Sequence, residues 1–250
     1  MKNYSLQLHS VRNSLDEDYD ATLKAISDMG YDGVEFAGRY GGYTGKELKE
    51  KLDFYGLTPI SAHLSYEELQ NDFDYHIEFL KDLGCKTIVC PWTNPETIEG
   101  AEKIGEELVK LAEKCIMNGF EFGYHNHAHE FELEDENGNT AFDIMMDIGY
   151  PLVLTELDLG WIAKAGKNPD EYIRKYAGRV TYLHLKQFKK TADGGDKIST
   201  LPQGILDVKS AIKTGKLMGC EYFIVEQDNI EQGELEDAKT NIDYLKSLNL

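Results

Sequence analysis

With 250 residues, the chain is long enough to bury a large core, and this length is typical of one (β/α)8 barrel. Its 45 acidic and 26 basic residues give a formal net charge of -19, which argues against duplex DNA as a partner because no basic strip offsets it. The N-terminal segment lacks the apolar stretch of a signal peptide and no run approaches a membrane span, so we expect a cytoplasmic protein without nucleic-acid or membrane partners.

Eight short runs rich in β-branched and aromatic residues predict strands. They lie near 3–9, 33–36, 57–63, 86–90, 120–125, 152–158, 180–185 and 222–226. Amphipathic stretches such as IGEELVKLAEKC lie between them and predict crossover helices. Several of these stretches end at a glycine just before the next strand, which indicates that the strands are parallel.

Strands that alternate with helices form either an open doubly wound sheet or a closed barrel. A nucleotide-binding open sheet would have a glycine-rich phosphate loop after its first strand, whereas this chain has HSVR there. The segment GRYGGYTG, after the second strand, matches neither GxGxxG nor GxxxxGK[ST]. We therefore predict one α/β domain over residues 1–250, a (β/α)8 TIM barrel.

Polar residues at the ends of the later strands form a candidate metal site. Asp158, His184 and Glu226 each end a predicted strand, and a barrel brings all its strand ends into one ring. Oxygen and imidazole ligands without thiolate suit manganese, magnesium, cobalt, iron or zinc. The fifth strand ends in YHNHAHEFE, which adds further histidines and a glutamate.

Each of these residues also has a purely structural interpretation. Asp158 could cap a loop, His184 could be a hydrogen-bonded core histidine, and Glu226 could pair with Lys186. Their equivalent positions on three strands favour the metal site.

Four runs, YHNHAHEFE, ELDLGWIAKAG, LHLK and IVEQD, resemble the sugar phosphate isomerase/epimerase family of the xylose isomerase-like TIM barrels. Earlier runs, LQLHSVR, GYDGVEFAG and SAHLSYEEL, are similar to the first units of that family, so the resemblance spans nearly the whole chain. Its relatives include inosose dehydratase, hydroxypyruvate isomerase and D-tagatose 3-epimerase. The resemblance implies that Asp158, His184 and Glu226 are three of four ligands to one divalent cation.

The fourth ligand departs from the epimerase pattern. Those epimerases have a glutamate at the end of the fifth strand, where this chain has His125, with His127 two residues on and facing the same side. We predict His125 as the ligand and keep His127 as the alternative. The substitution argues against a symmetrical mechanism in which two metal-bound glutamates move protons on opposite faces of a sugar.

A metal bound to a carbonyl would acidify the adjacent C–H and stabilise an enediolate. Glu226 is the first candidate base, and Glu156 is the second because it shares the face of Asp158. Lys186 or a neutral histidine could neutralise the oxyanion. We expect an isomerase or epimerase acting on a sugar, keto sugar or sugar phosphate. Dehydration of an inosose or 3-keto sugar is the alternative.

Seven further residues are predicted to bind substrate or support the ligands. Gln7 could instead satisfy a hydrogen bond inside the barrel, and Trp161 could pack against the C–H face of a sugar. The seven are Gln7, His9, Glu35, His63, His127, Glu130 and Trp161.

Two other classes share this kind of barrel. An endonuclease IV-like repair enzyme needs a phosphate-friendly face, which the net charge of -19 disfavours. A non-catalytic sugar-binding barrel would keep the metal ligands without the base. The sequence leaves a homo-oligomer open.

Overall fold

A computed structural model describes residues 4–250, and a closed barrel of eight parallel strands lies at its centre. The barrel strands are β1 (Tyr4–Gln7), β2 (Gly33–Ala37), β3 (Thr58–His63), β4 (Thr87–Cys90), β5 (Glu121–His125), β6 (Val153–Asp158), β7 (Val180–Leu185) and β10 (Tyr222–Val225). Neighbours in the barrel are neighbours along the chain, and β10 pairs with β1 to close the cylinder. The predicted TIM barrel is therefore confirmed; the first predicted run begins at residue 3, outside the described residues.

Helices surround the barrel and connect successive strands. They are α1 (Arg12–Glu17), α2 (Tyr19–Met29), α3 (Gly45–Tyr55), α4 (Tyr66–Asn71), α5 (Phe73–Leu83), α6 (Ile98–Met117), α7 (Ala141–Gly149), α8 (Leu159–Lys164), α9 (Pro169–Lys175), α10 (Val208–Leu217) and α11 (Glu234–Ser247). Local sequence sets their ends: Thr44 forms a capping box with Glu47 at the start of α3, and Gly30 ends α2 with a left-handed φ of 87°.

One antiparallel hairpin departs from the alternating pattern. It consists of β8 (Gln187–Lys190) and β9 (Asp196–Ser199) and begins two residues after β7 ends. These two strands were not predicted from the sequence. Their position puts the hairpin at the carboxyl end of the barrel strands.

Two layers fill the inside of the barrel. Ile60, Tyr182 and Ile224 come from β3, β7 and β10 and form a small apolar cluster, separate from the main core between strands and helices. Since side chains alternate along a strand, His184 and Glu226 face the same interior two residues further on. The apolar layer therefore forms a floor beneath a polar layer.

In the described part of the chain, residues 4–250, none of the helices combines the length and apolar character needed to cross a membrane.

Candidate metal centre

Four side chains from four barrel strands converge at the carboxyl end of the barrel. His125 and Asp158 end β5 and β6, His184 lies near the end of β7, and Glu226 follows β10. Each offers one ligand atom, and these atoms all lie within 4.8 Å of one another. We call these four buried residues, which could hold a metal ion, the outer cluster.

The backbone and side chain of Asp158 are fixed separately. The Asn126 side chain donates to the Asp158 carbonyl at 3.2 Å and accepts from its N–H at 3.0 Å. Asp158 Oδ1 accepts from the Trp161 N–H at 2.9 Å, so this carboxylate also caps α8. Its Oδ2 is buried without a hydrogen-bond partner, and burial raises the pKa of Asp158. A buried carboxylate oxygen of this kind suits a bound cation.

Lys186 neutralises the carboxylates around Glu226. Its Nζ lies 3.0 Å from Glu226 Oε2, 2.7 Å from Asp228 Oδ2 and 3.5 Å from Asp158 Oδ2. Burial alone would raise the pKa of Glu226, but Lys186 and His184 outweigh it and hold the pKa well below its usual range. Glu226 therefore pairs with Lys186 and is also a member of the outer cluster.

A second group shares two residues with the first and includes Glu156, which precedes Asp158 by two residues on β6. His63, His125, Glu156 and His184 also could hold a metal ion, and we call them the inner cluster. Glu156 Oε2 lies 2.7 Å from His63 Nε2, 2.9 Å from His125 Nδ1 and 3.2 Å from His184 Nε2. Three imidazoles thus surround one carboxylate oxygen.

Glu35 supports the inner cluster from the neighbouring strand. It accepts from Gln7 Nε2 at 2.7 Å and from the Ser61 hydroxyl, and its Oε1 lies 2.8 Å from His184 Nε2. Burial alone would lower the pKa of His63, but Glu35 and Glu156 outweigh it and raise the pKa to about 10. His63 is therefore an imidazolium at neutral pH.

A cavity of about 360 Å³ opens next to both clusters. Four of the predicted substrate residues line it, together with two of the candidate ligands, His125 and Glu226. Its lining residues are Gln7, His9, Ala37, Gly38, His63, Ser65, Glu68, Pro91, His125, His127, Glu226 and Asp228.

The other three predicted substrate residues lie outside this lining. Glu35 and Glu130 are fully buried, and Glu130 accepts from the Tyr124 hydroxyl and the His127 N–H. The Trp161 ring packs between His127 and Phe188, at centroid distances of 5.3 and 4.7 Å. Each of these three side chains contacts a residue that lines the cavity or belongs to the hairpin.

His127 borders the cavity but belongs to neither cluster. Burial lowers its pKa to about 2, so its ring is neutral. It packs against the ring of His125 at a centroid distance of 5.1 Å. Of the two histidines considered as the fourth ligand, only His125 offers a nitrogen within 4.8 Å of the other three ligand atoms.

Two residues of the site had no assigned role in the sequence analysis. Asp228 pairs with Lys186 and lines the cavity, and Asn126 holds the Asp158 backbone. The alternation that links Glu156 to Asp158 also applies to Asp228, which follows Glu226 by two residues. The sequence offers no comparable signal for Asn126, because its partners are backbone groups of another strand.

Comparison with known proteins places this geometry in context. The family model for the xylose isomerase-like TIM barrel matches residues 23–248, which confirms the resemblance seen in the sequence. An inosose dehydratase from Geobacillus kaustophilus (strain HTA426) is 28% identical over 235 residues, which span 82% of this chain and 73% of that protein.

Solved structures agree with the fold. A sugar phosphate isomerase/epimerase from Parabacteroides distasonis ATCC 8503 has a TM-score of 0.82 at 22% identity, covering 99% of this chain and 94% of its own. The IolI protein, solved with a bound zinc atom, has a TM-score of 0.75 at 17% identity. The match covers 98% of this chain and 97% of the IolI chain.

Proposed function

Since the chain belongs to the xylose isomerase-like TIM barrel family, we propose that it is a divalent-metal-dependent enzyme that removes a proton beside the carbonyl of a polyhydroxylated ketone. The observation on which this proposal depends is the convergence of the outer cluster, from four strands, next to a cavity. Isomerisation follows if the proton returns to a different carbon of the enediolate, and epimerisation follows if it returns to the opposite face of the same carbon.

The outer cluster fits one divalent cation. It offers two imidazoles and two carboxylates, and Asp158 Oδ2 lacks another hydrogen-bond partner. This donor set suits manganese, magnesium, cobalt or zinc, and the zinc bound by the IolI protein supports such a site on this fold. The cation would act as a Lewis acid toward the substrate carbonyl and acidify the neighbouring C–H.

Glu226 is the proposed base. It is the outer-cluster carboxylate that lines the cavity, and Lys186 and His184 keep it ionised. Glu156, the other candidate, is fully buried and lies among three imidazoles. A base must reach the proton that it removes, so we assign this role to Glu226.

The cavity favours an uncharged substrate. Among the described residues, its lining includes the carboxylates of Glu68, Glu226 and Asp228 but no lysine or arginine. A phosphate group would meet like charge there, and the His63 imidazolium in the lining is already paired with Glu35 and Glu156. Of the substrates considered, an unphosphorylated keto sugar or keto cyclitol therefore fits better than a sugar phosphate.

Dehydration is the second candidate reaction, and the naming of the Geobacillus relative as an inosose dehydratase favours it. Glu226 would take the proton from the α-carbon, and a C=C bond would form as the β-hydroxyl leaves. His63 lines the cavity as an imidazolium and could protonate that hydroxyl, so that it leaves as water.

A deuterium-exchange screen tests the proposal. Keto sugars, inososes and 3-keto glycosides, with phosphorylated counterparts, are incubated with the protein and Mn²⁺ in deuterated buffer and followed by NMR. We expect label at the carbon beside the carbonyl of an uncharged substrate, and none after chelation. Loss of water would identify dehydration, whereas a new ketose or epimer would identify isomerisation.

The Glu226→Gln variant should lower the exchange rate by about 10²–10⁴-fold, because the amide cannot accept the proton. Metal content is measured alongside, since Glu226 is also a proposed ligand. Exposed Glu132→Gln is the matched control and should exchange at the wild-type rate. Metal-loaded wild-type protein that exchanges no label into any substrate would favour a non-catalytic sugar-binding barrel.

A further inference from the structure

We propose that Glu156 is a positioning residue that fixes both imidazole ligands of the outer cluster, and that the inner cluster holds no second cation. This inference depends on the metal site of the proposed function. It concerns the two histidines that the clusters share, His125 and His184.

In each shared imidazole, one ring nitrogen lies near a carboxylate of the outer cluster and the other lies near Glu156 of the inner cluster. His125 Nε2 lies 3.8 Å from Asp158 Oδ2, while its Nδ1 lies 2.9 Å from Glu156 Oε2. His184 Nδ1 lies 3.0 Å from Glu226 Oε2, while its Nε2 lies 3.2 Å from Glu156 Oε2. The nitrogen that faces the outer carboxylates is therefore Nε2 in His125 but Nδ1 in His184.

A neutral imidazole has one lone pair and one N–H. If the outer nitrogens bind a cation, the inner nitrogens must carry the protons. His125 Nδ1 then donates to Glu156, while His184 Nε2 lies 3.2 Å from Glu156 Oε2 and 2.8 Å from Glu35 Oε1. Two cations would require both rings to give up their last proton, so the clusters compete for a single cation.

The outer cluster is the better place for that cation. It supplies two carboxylates against one in the inner cluster, so it offsets more of the charge of a divalent cation. Glu226 also connects it to the cavity. Glu156 is fully buried two residues before Asp158 on β6, and Glu35 contacts His184 Nε2 beside it. A carboxylate behind a ligand imidazole fixes its tautomer and ring orientation.

The Glu156→Gln variant tests this role through metal affinity. An amide keeps an accepting oxygen but loses the negative charge that holds the imidazole N–H groups, so we expect the Zn²⁺ dissociation constant to rise by about 10–100-fold while the fold is kept. Wild-type protein should bind one Zn²⁺ per chain. The measurements are isothermal titration with zinc alone and circular dichroism.

Asp143→Asn is the matched control. Asp143 is also buried, but it lies on α7 and contacts the Tyr176 hydroxyl and Lys175. The substitution replaces a buried carboxylate by an amide without touching either cluster. Its zinc affinity should equal that of the wild type.

NMR of the zinc-loaded wild type, with ¹⁵N-labelled histidine, tests the same inference without a variant. We expect the proton on Nδ1 of His125 and on Nε2 of His184. The reverse tautomers, two zinc ions per chain, or unchanged affinity in a folded Glu156→Gln variant would overturn the inference alone. A wild type that binds no zinc, manganese, magnesium or cobalt would overturn the proposed function as well.

Discussion

Lys186 is a fully buried cation whose ammonium group faces three carboxylates. Burial alone would lower its pKa, but Glu226, Asp158 and Asp228 outweigh it and raise the pKa above its usual value. Charges taken out of water are stable only when they are paired. Lys186 therefore stabilises the carboxylates whether or not a cation is bound.

Replacing Lys186 by methionine should destabilise the protein by about 3–5 kcal/mol at neutral pH, because buried carboxylates lose their counter-ion. Urea unfolding in the presence of a chelator measures this. Lys24→Met removes an exposed pair with Asp28 and should change the free energy of unfolding by less than about 0.5 kcal/mol. A Lys186→Met variant nearly as stable as the control would refute the pairing.

His63 makes stability depend on pH. Its pKa of about 10 in the folded protein lies above the ordinary value of 6.5, so its ion pairs stabilise the fold fully below pH 6.5 and lose effect as the pH approaches 10. The stability difference between metal-free wild type and His63→Gln should therefore shrink from pH 6.5 to 10. Urea unfolding at both pH values measures it.

The matched variant for that series is His76→Gln, which removes an imidazole on α5 that faces neither Glu35 nor Glu156. A wild-type advantage over His63→Gln that stays constant across the same pH range would contradict the charged state of His63.

At the scale of elements, α8 lies directly against the end of β7. A Cβ added at Gly160 would lie 2.5 Å from the Lys186 carbonyl oxygen. The contact joins the segment after Asp158 to the strand that contains His184. Only glycine allows this approach without a shift of backbone.

Gly160→Ala should therefore cost about 1–3 kcal/mol of stability and weaken zinc binding, because α8 must move away from β7. Thermal unfolding and zinc titration measure the two effects. Gly123→Ala, where the nearest atom is 3.5 Å away, should have little effect on either. Equal behaviour of the two variants would argue against a critical contact at Gly160.

The strands and crossover helices could be predicted because their signals are local: runs rich in β-branched and aromatic residues, helical periodicity and terminal glycines. The same runs predicted that Asp158, His184 and Glu226 end strands. The hairpin of β8 and β9 gave no such signal, and the buried side chain of Gln187 connects β8 to the loop after β9 by hydrogen bonds to Leu201 and Leu206. The shared contacts of Glu156 depend on three other strands, and no local pattern encodes them.

At the scale of the whole molecule, a cation in the outer cluster would link four strands, including β10, which closes the barrel. Binding at 100 times the dissociation constant should add about 2.7 kcal/mol to the free energy of unfolding. For a chain of this size, Tm should rise by about 2–4 °C per kcal/mol. Differential scanning fluorimetry with Mn²⁺ or Zn²⁺, after chelator treatment, measures the shift.

Salt needs its own control, because screening of the net charge of -19 could also stabilise the fold. KCl at matched ionic strength provides it. A rise in Tm no larger with the divalent ions than with KCl would show that they act by screening.

The β8–β9 hairpin leaves the barrel just after β7, and within residues 4–250 its two strands pair with each other and with no barrel strand. Its contacts with the barrel end are side-chain contacts, including Phe188 on Trp161 and Lys189 on Glu231. The hairpin can therefore vary while the strand that supplies His184 stays intact. A longer or shorter hairpin turn would therefore leave the cavity wall unchanged, because none of the described lining residues belongs to the hairpin.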